Sequence, residues 1–194
     1  MNMENKFELT DNFIINAFGV KLFQIKCTKS FKYAKEGDLG GYVEKDENLD
    51  QESDAWVYGN AWVYGNARVS GNAEVSGNAR VYGNAEVYGN AWVYGDARVY
   101  GNAEVYGNAW VSGNAEIDNN NKHCGFDCFG SANRHTHAYL TKENKVEITC
   151  GCFRGSIEEF EKRVEETHSG TIYEKQYKAI IDVIKIKFGL TDLI

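Results

Sequence analysis

Valine and alanine recur at fixed positions along the middle of the chain. From "SDAWVY" at 53–58 to "GNAEID" at 113–118, eleven hexapeptides follow one another without an insertion, each close to Gly-Asn-Ala-x-Val-Tyr/Ser. A period of six does not match the 3.6-residue helix, but it fits a short strand followed by a corner. In such a strand Val63 points to one side, and Trp62 and Tyr64 point to the other. The pattern therefore predicts a solenoid with a core of valine and alanine.

The glycine and asparagine of each repeat suit the corners. Gly65 can take a positive φ, and Asn66 is of a residue type that tolerates one. Ala67 is small enough to point inward at the bend. Val43 and Leu49 fall in phase with the alanine position, so we expect a degraded first coil that begins near residue 40.

This repeat resembles the hexapeptide repeat of left-handed parallel β-helices, in which three hexapeptides form one triangular coil. The resemblance implies about 3.7 coils for residues 53–118, stacked to a height of roughly 18 Å at the usual strand spacing. The predicted fold is mainly β, with three parts. A small N-terminal β cap covers residues 1–42, a left-handed parallel β-helix covers 43–118, and a small α+β domain covers 119–194.

The segment before the repeats predicts a few strands that cap the open end of the solenoid, which would otherwise template edge pairing. It contains "GDLGGYVE" at 37–44, followed by Asn48 and Leu49. Together with the repeats, these residues resemble a family of bacteriophage and prophage hexapeptide-repeat proteins. The resemblance implies a phage-encoded protein and implies no particular activity.

After the polar segment "NNNKH" the pattern changes to two strand-like runs, "HAYLT" and "KVEITC". Ser156 and Glu159 form a capping box that opens a helix, and Thr171 and Glu174 are placed to open a second one. The phrase "CGCFRGSIEEFEKRVEETH" resembles a C-terminal module appended to various phage proteins. That resemblance also implies no activity.

Charge and composition exclude several classes of function. The net charge is −7, with ten acidic residues against seven lysines in 1–52, seven against three arginines in 53–118, and eleven of each sign in 119–194. Such a balance argues against binding of long nucleic acid, which needs an excess of basic residues. No apolar stretch approaches the ~20 residues of a membrane span, and the N-terminus lacks the pattern of a signal peptide. Five cysteines, an odd number without an export signal, are typical of reduced thiols in a cytoplasm. We therefore expect a protein of the bacterial host cytoplasm with no membrane partner.

Many hexapeptide-repeat proteins are acyltransferases that use acetyl-CoA, and these enzymes need a histidine general base beside the coils. Residues 53–118 contain no histidine and no inserted loop. All four histidines lie beyond the repeats, at His123, His135, His137 and His168. The sequence therefore favours a protein that is not an enzyme, and an acyltransferase remains the alternative.

A zinc site is a second alternative. Paired ligands that lie close in sequence suit tetrahedral zinc. The chain from 123 to 152 holds three of the histidines together with Cys124, Cys128, Cys150 and Cys152. However, the Cys-x3-Cys and Cys-x-Cys spacings are not those of common zinc knuckles, and a free cysteine also packs as a small apolar residue. We predict no metal and no cofactor.

Three hexapeptides per coil place every third hexapeptide on the same face. We expect all four tryptophans to point outward, which exposes much aromatic surface for a soluble monomer. The first face carries the candidate residues for self-association, Trp56, Trp92, Tyr94 and Trp110. Because hexapeptide helices commonly pack three around an axis, the resemblance implies a homotrimer.

The second face combines aromatic rings with arginines. Its candidate ligand-binding residues are Trp62, Tyr64, Arg80, Tyr82, Arg98 and Tyr100. Ring planes beside guanidinium groups suit a small nucleotide or another anionic aromatic ligand. We therefore expect a binding protein that opposes host antiviral defence, either by sequestering a nucleotide signal or by occluding a defence protein. A structural or assembly scaffold is the other alternative.

Overall fold

The computed structural model describes residues 5–190. Residues 1–4 of the predicted cap and 191–194 of the predicted C-terminal domain lie outside the described residues. The chain divides into two compact units, Met1–Asn119 and Asn120–Ile194. None of the described helices is long and apolar enough to cross a membrane.

Three antiparallel strands open the first unit: β1 (Phe7–Ile15), β2 (Lys21–Cys27) and β3 (Leu39–Val43). A 3-10 turn at Asp46–Asn48 follows. Eleven two-residue strands come next, and they are β4 (Trp56–Val57), β5 (Trp62–Val63), β6 (Arg68–Val69), β7 (Glu74–Val75), β8 (Arg80–Val81), β9 (Glu86–Val87), β10 (Trp92–Val93), β11 (Arg98–Val99), β12 (Glu104–Val105), β13 (Trp110–Val111) and β14 (Glu116–Ile117).

Each solenoid strand pairs in parallel with the strand 18 residues away, as Trp62 does with Arg80. The strands form three sheets, in the orders β4-β7-β10-β13, β6-β9-β12 and β3-β5-β8-β11-β14. The predicted solenoid with three strands per coil is confirmed, and it makes about four turns. Strands β1 and β2 extend the third sheet through β3, so the cap continues that sheet beyond the first coil.

The core of the solenoid is the predicted one. Each repeat alanine from Ala55 to Ala115, and each repeat valine from Val57 to Val111, is at most 3% exposed. Ile117 takes the valine position of the last repeat and is fully buried. Alternation within a strand therefore sends the fixed positions inward and leaves the variable positions outside.

The corners are held by two kinds of contact between successive coils. Gly83 has a φ of +75°, and a Cβ added to it would lie 3.0 Å from the backbone nitrogen of Gly101. Glycine is therefore required both for its conformation and for the close approach of the backbones. Asn66 donates its backbone N–H to the Gly83 carbonyl at 2.7 Å and its Nδ2 to Oδ1 of Asn84 at 3.1 Å.

The asparagine of the corner does not take a positive φ. Among the described residues, the non-glycine residues with positive φ are Cys128, Asn133 and Asn144, and none of these lies in a repeat. The interpretation of Asn66 as a residue chosen for its tolerance of positive φ is therefore wrong. Its role is the ladder of side-chain hydrogen bonds, which recurs from Asn84 to Asn102 at 3.0 Å.

The first coil is out of phase with the others. Val43 pairs with Val63 and Leu49 bridges to Val69, an offset of 20 residues instead of 18. Both residues therefore occupy valine positions, and their predicted alignment with alanine is wrong. The cause is an insertion of two residues before Trp56, where the 18-residue offset begins.

Trp56 is buried, contrary to the expectation that every tryptophan points outward. It is 1% exposed, and its ring makes T-shaped contacts with the rings of Phe7 and Phe31 at centroid distances of 6.4 and 5.4 Å. The cap supplies both phenylalanines, so a side chain that would be external in any later coil is covered in the first. Trp56 is therefore not available to an interface.

Lys6 closes the same end of the solenoid by satisfying free carbonyl groups. It is 6% exposed, and its Nζ donates to the carbonyls of Ser53 at 2.7 Å and Ala55 at 2.8 Å. Burial lowers the pKa of Lys6 from 10.5 to about 8, although the carboxylates of Asp50 and Asp54 oppose the shift.

The second unit is a four-stranded antiparallel sheet with two helices. After a 3-10 turn at Asn120–Lys122, its strands are β15 (His123–Phe129), β16 (Arg134–Leu140), β17 (Val146–Cys150) and β18 (Phe153–Gly155), and its helices are α1 (Ile157–His168) and α2 (Ile172–Lys187). Ser156 and Glu159 form the predicted capping box of α1, and Thr171 caps α2 by accepting from the Glu174 N–H. The two strand-like runs are confirmed as strands, except that Thr141 lies beyond the end of β16 and Lys145 precedes β17.

Replacing the corner glycine should separate its two roles. Gly83→Ala places a Cβ against the next coil, whereas Gly59, with a φ of +56°, has nothing within 4 Å of an added Cβ. We expect Gly59→Ala to lose about 1–2 kcal/mol in the free energy of unfolding, which is the conformational term alone. Gly83→Ala should lose about 2–5 kcal/mol because the overpacking term is added. Urea denaturation measures both values, and equal losses would show that the backbone contact is not limiting.

The depressed pKa of Lys6 makes stability depend on pH. Between about pH 8 and pH 10.5 the unfolded chain holds the proton that the folded chain has lost, so the free energy of unfolding rises with pH. We expect the stability of the wild type relative to Lys6→Met to increase from pH 8 to pH 10 in urea titrations. Titration of the tyrosines changes the free energy of unfolding equally in both proteins, so this contribution cancels in the difference between them. A constant difference over this range would contradict the burial of a charged amine.

Candidate functional site

The structure brings all six predicted ligand-binding residues onto one sheet. They lie on β5, β8 and β11 and on the residue that follows each strand, and every one is half-buried. We name this surface the Arg–Tyr face, and it consists of Trp62, Tyr64, Arg80, Tyr82, Arg98 and Tyr100. The 18-residue register aligns them in two parallel rows, one carried by the strands and one by the tyrosines.

The first row places two positive charges on neighbouring strands. Arg98 pairs in register with Arg80 on one side and with Glu116 on the other. The Arg80 guanidinium lies 4.2 Å from the Trp62 ring centroid, a cation–π contact. Like charges directly opposite each other destabilise a sheet, and Glu116 supplies one negative charge for the two arginines. The row therefore has an excess of one positive charge.

The second row is a ladder of stacked tyrosines. The Tyr64–Tyr82 and Tyr82–Tyr100 ring centroids are each 4.9 Å apart, and each pair of rings is within 5° of parallel. Both ring faces of Tyr82 are therefore covered by its neighbours. The interpretation of the tyrosines as free stacking planes is wrong for Tyr82, which presents its edge and hydroxyl instead.

Tyr100, the last tyrosine of the ladder, is hydrogen-bonded to an acidic residue. The Tyr100 hydroxyl donates to Glu116 at 2.9 Å, and burial together with this carboxylate raises the pKa of Tyr100 to about 12. Burial also raises the pKa values of Tyr64 and Tyr82. All three hydroxyls therefore stay protonated near neutral pH. Tyr100 donates its proton to Glu116, and the hydroxyls of Tyr64 and Tyr82 can donate to a ligand.

Glu116 of β14 lies on the same sheet and was not among the predicted site residues. In the structure, Glu116 contacts the Tyr100 hydroxyl and pairs in register with Arg98. The signal that could have found it is the 18-residue spacing, which makes Glu116 the next residue of the row.

The first face carries the other aromatic cluster. Trp92 stacks on Tyr94 at 4.4 Å, meets Trp110 edge-on at 5.7 Å, and donates its indole N–H to the Ser76 hydroxyl at 3.1 Å. Trp110 is 37% exposed. Three of the four predicted interface residues therefore lie together, and Trp56 lies under the cap.

The third face is acidic. A cleft of about 550 Å³ is lined by Arg68 and by the carboxylates Asp46, Glu47, Asp50, Glu52 and Glu86. One arginine among five carboxylates does not suit an anionic ligand. This contrast separates the Arg–Tyr face from the rest of the solenoid surface.

The cysteines and histidines do not assemble as ligands of one ion. Within residues 5–190, no group of three or more His, Cys, Asp or Glu side chains is placed to hold a metal. Cys150 is buried in the core of the second unit, and burial raises the pKa of Cys124 to about 11. Imidazole nitrogens of His123 and His137 lie 3.0 Å apart, and His135 bonds Asp127 at 2.7 Å. The geometry of the described residues gives the zinc alternative no support.

Segments of the solenoid match a known family of repeats. Residues 61–77, 73–89, 79–95 and 97–113 match the family model described as YdcK beta solenoid repeat. These are YdcK-type β-solenoid repeats. The matched segments of the YdcK-type solenoid contain every residue of the Arg–Tyr face. A search of curated proteins found no match to the chain.

Proposed function

We propose that this protein is a binding protein, not an enzyme, and that it takes a small anionic ligand at the Arg–Tyr face. The observation that carries the proposal is the in-register pair of Arg80 and Arg98, with Glu116 as their shared counter-charge. Each guanidinium offers donors in a rigid fork that matches a phosphate or carboxylate. Two forks one strand spacing apart can donate to the same anionic group, which relieves their mutual repulsion.

The ligand class that fits is a nucleotide. Its phosphate would lie against Arg80 and Arg98, and its sugar or base would accept hydrogen bonds from the hydroxyls of Tyr64 and Tyr82. Because Tyr64 and Tyr100 cover the two faces of Tyr82, the base does not enter the ladder. It would pack against Trp62, which is half-buried and already carries the Arg80 guanidinium.

The proposed biological role is inhibition of host antiviral defence in the bacterial cytoplasm, by sequestering a nucleotide signal or occluding a defence protein. The support is the resemblance of residues 37–44 and of the repeats to phage proteins, which also carries the proposed left-handed sense of the solenoid. The alternatives are an assembly scaffold and an acetyl-CoA-dependent acyltransferase. The absence of histidine from 53–118 is the argument against the enzyme.

We also propose that three copies associate through the first face. Trp92, Tyr94 and Trp110 form a partly exposed aromatic cluster on one sheet, and aromatic residues are enriched in protein interfaces. A trimer would cover this cluster and leave the Arg–Tyr face on a different side of each solenoid.

Nucleotide binding is tested by isothermal titration of the full chain with AMP, ADP and ATP. The double variant Arg80→Glu, Arg98→Glu should weaken binding at least about 100-fold because two charge-assisted contacts are lost. The matched control is Arg68→Glu, which changes an arginine of the same Ala-Arg-Val context on the acidic face. Binding that survives the double variant removes this face from consideration. Turnover of acetyl-CoA with an amine or hydroxyl acceptor would favour the acyltransferase.

Self-association is tested by native mass spectrometry of the untagged protein. We expect a trimer for the wild type and a monomer for Trp92→Lys, because a charge at the centre of an aromatic interface must be desolvated. Tyr106→Lys is the control, since Tyr106 is 53% exposed on the third face. A wild-type monomer, or a trimer that survives Trp92→Lys, would contradict this interface.

A further inference from the structure

The second unit contains a cavity that the proposed function does not use. Its volume is about 350 Å³, within the usual range of small-molecule sites. Part of its lining is apolar and comes from Phe153 of β18 and from Phe160 and Val164 of α1. Phe160 and Val164 are buried in the core of the unit, so this wall is fixed by packing.

Two arginines on different elements line the same cavity. Arg134 comes from the start of β16, and Arg163 comes from the exposed side of α1. Among the described residues that line the cavity, none is Asp or Glu, and neither arginine makes a side-chain ion pair with another described residue. Two guanidinium groups around one cavity with no acidic lining residue favour an anionic ligand there, although the 119–194 segment is neutral overall.

The position of Arg134 depends on a neighbouring glycine. Gly151 has a φ of +59°, and a Cβ added there would lie 2.6 Å from Nη1 of Arg134. The "CGC" segment thus leaves space for the guanidinium beside the two cysteines, both of which also line the cavity. The short segment between β17 and β18 therefore makes room for the Arg134 side chain, a role that the spacing of its cysteines did not predict.

Tyr177 also lines the cavity, and its side chain is nearly buried. It is 5% exposed, and its hydroxyl has the Sγ of Cys150 at 3.8 Å as its partner. That sulfur already accepts a hydrogen bond from the Thr136 hydroxyl at 3.3 Å, and thiol sulfur is a weak acceptor. The His168 ring stacks on Tyr177 at 5.5 Å and holds its orientation. A hydroxyl with so weak a partner can bond an anionic oxygen more strongly.

We propose that this cavity is a second binding site, specific for a small organic anion with a single ring. The acidic group would accept from Arg134 and Arg163, and the ring would pack against Phe153, Phe160 and Val164. The site lies wholly within the second unit and does not depend on the Arg–Tyr face.

The test is titration of the ¹⁵N-labelled full chain with phenyl phosphate, phenylacetate and the neutral 2-phenylethanol, followed by NMR. The amide signal of Gly151 reports on the cavity because Gly151 adjoins Arg134. We expect saturable shifts with one or both anions and at least about tenfold weaker binding of 2-phenylethanol. The relative affinities of the two anions show whether the site prefers phosphate or carboxylate.

Variants decide whether the arginines carry the binding. Arg163→Gln should weaken anion binding at least about tenfold, and Arg134→Gln should do the same if the fold is kept. Lys162→Gln removes the neighbouring charge on α1 and should change the affinity less than about twofold, since Lys162 does not line the cavity. The double variant at Arg80 and Arg98 should bind these anions as the wild type does. No shift with either anion, equal binding of 2-phenylethanol, or unchanged affinity in Arg163→Gln would overturn the proposal.

Discussion

The backbone contact between glycines of successive coils sets the geometry on which the solenoid depends. A Cβ at Gly71 or Gly89 would lie 2.9 Å from the nitrogen of the glycine in the next coil, so the corners approach as closely as glycine allows. The backbone N–H of each following asparagine then reaches the carbonyl of that glycine, as Asn72 does at 2.6 Å to Gly89. This fixes both the spacing of the coils and the 18-residue register. The 4.9 Å separation of the tyrosine rings follows from it.

Because the corners and the core define the fold, the outward positions can vary in chemistry without changing the register. Trp62, Arg80, Arg98 and Glu116 occupy equivalent places on four strands, although they differ in size and charge. Because the outer side chains do not hold the fold together, two arginines can be neighbours on adjacent strands. In a sheet that depends on its outer side chains for stability, two like charges in this position would be destabilising. The outward side chains of this unit can therefore vary to suit a function, and charged and aromatic side chains are most closely grouped on the Arg–Tyr face.

The two ends of the chain follow a different rule from the repeats. Lys6 bonds carbonyls of Ser53 and Ala55, and Phe7 and Phe31 cover Trp56, so the N-terminal cap satisfies the groups that a missing coil would have met. In the second unit, each helix cap depends on residues that are close in sequence, so Ser156 and Thr171 predicted where the two helices begin. The cavity between Arg134 and Arg163 could not be predicted from the sequence, because the two residues come from separate elements that only packing brings together.

The sequence by itself determined the repeat period, the valine–alanine core and the three faces, because each depends on a six-residue pattern whose neighbours from Trp56 onward are 18 residues apart. It therefore also predicted that Arg80 and Arg98 share a face. Only the tertiary structure decided that Trp56 is buried, that Val43 and Leu49 take valine positions, and that Tyr82 has both ring faces covered. The first two arise where the cap, which lacks the period, meets the first coil, and the third depends on side-chain orientation. A periodic pattern specifies which residues are neighbours, whereas side-chain packing specifies which of their surfaces remain accessible.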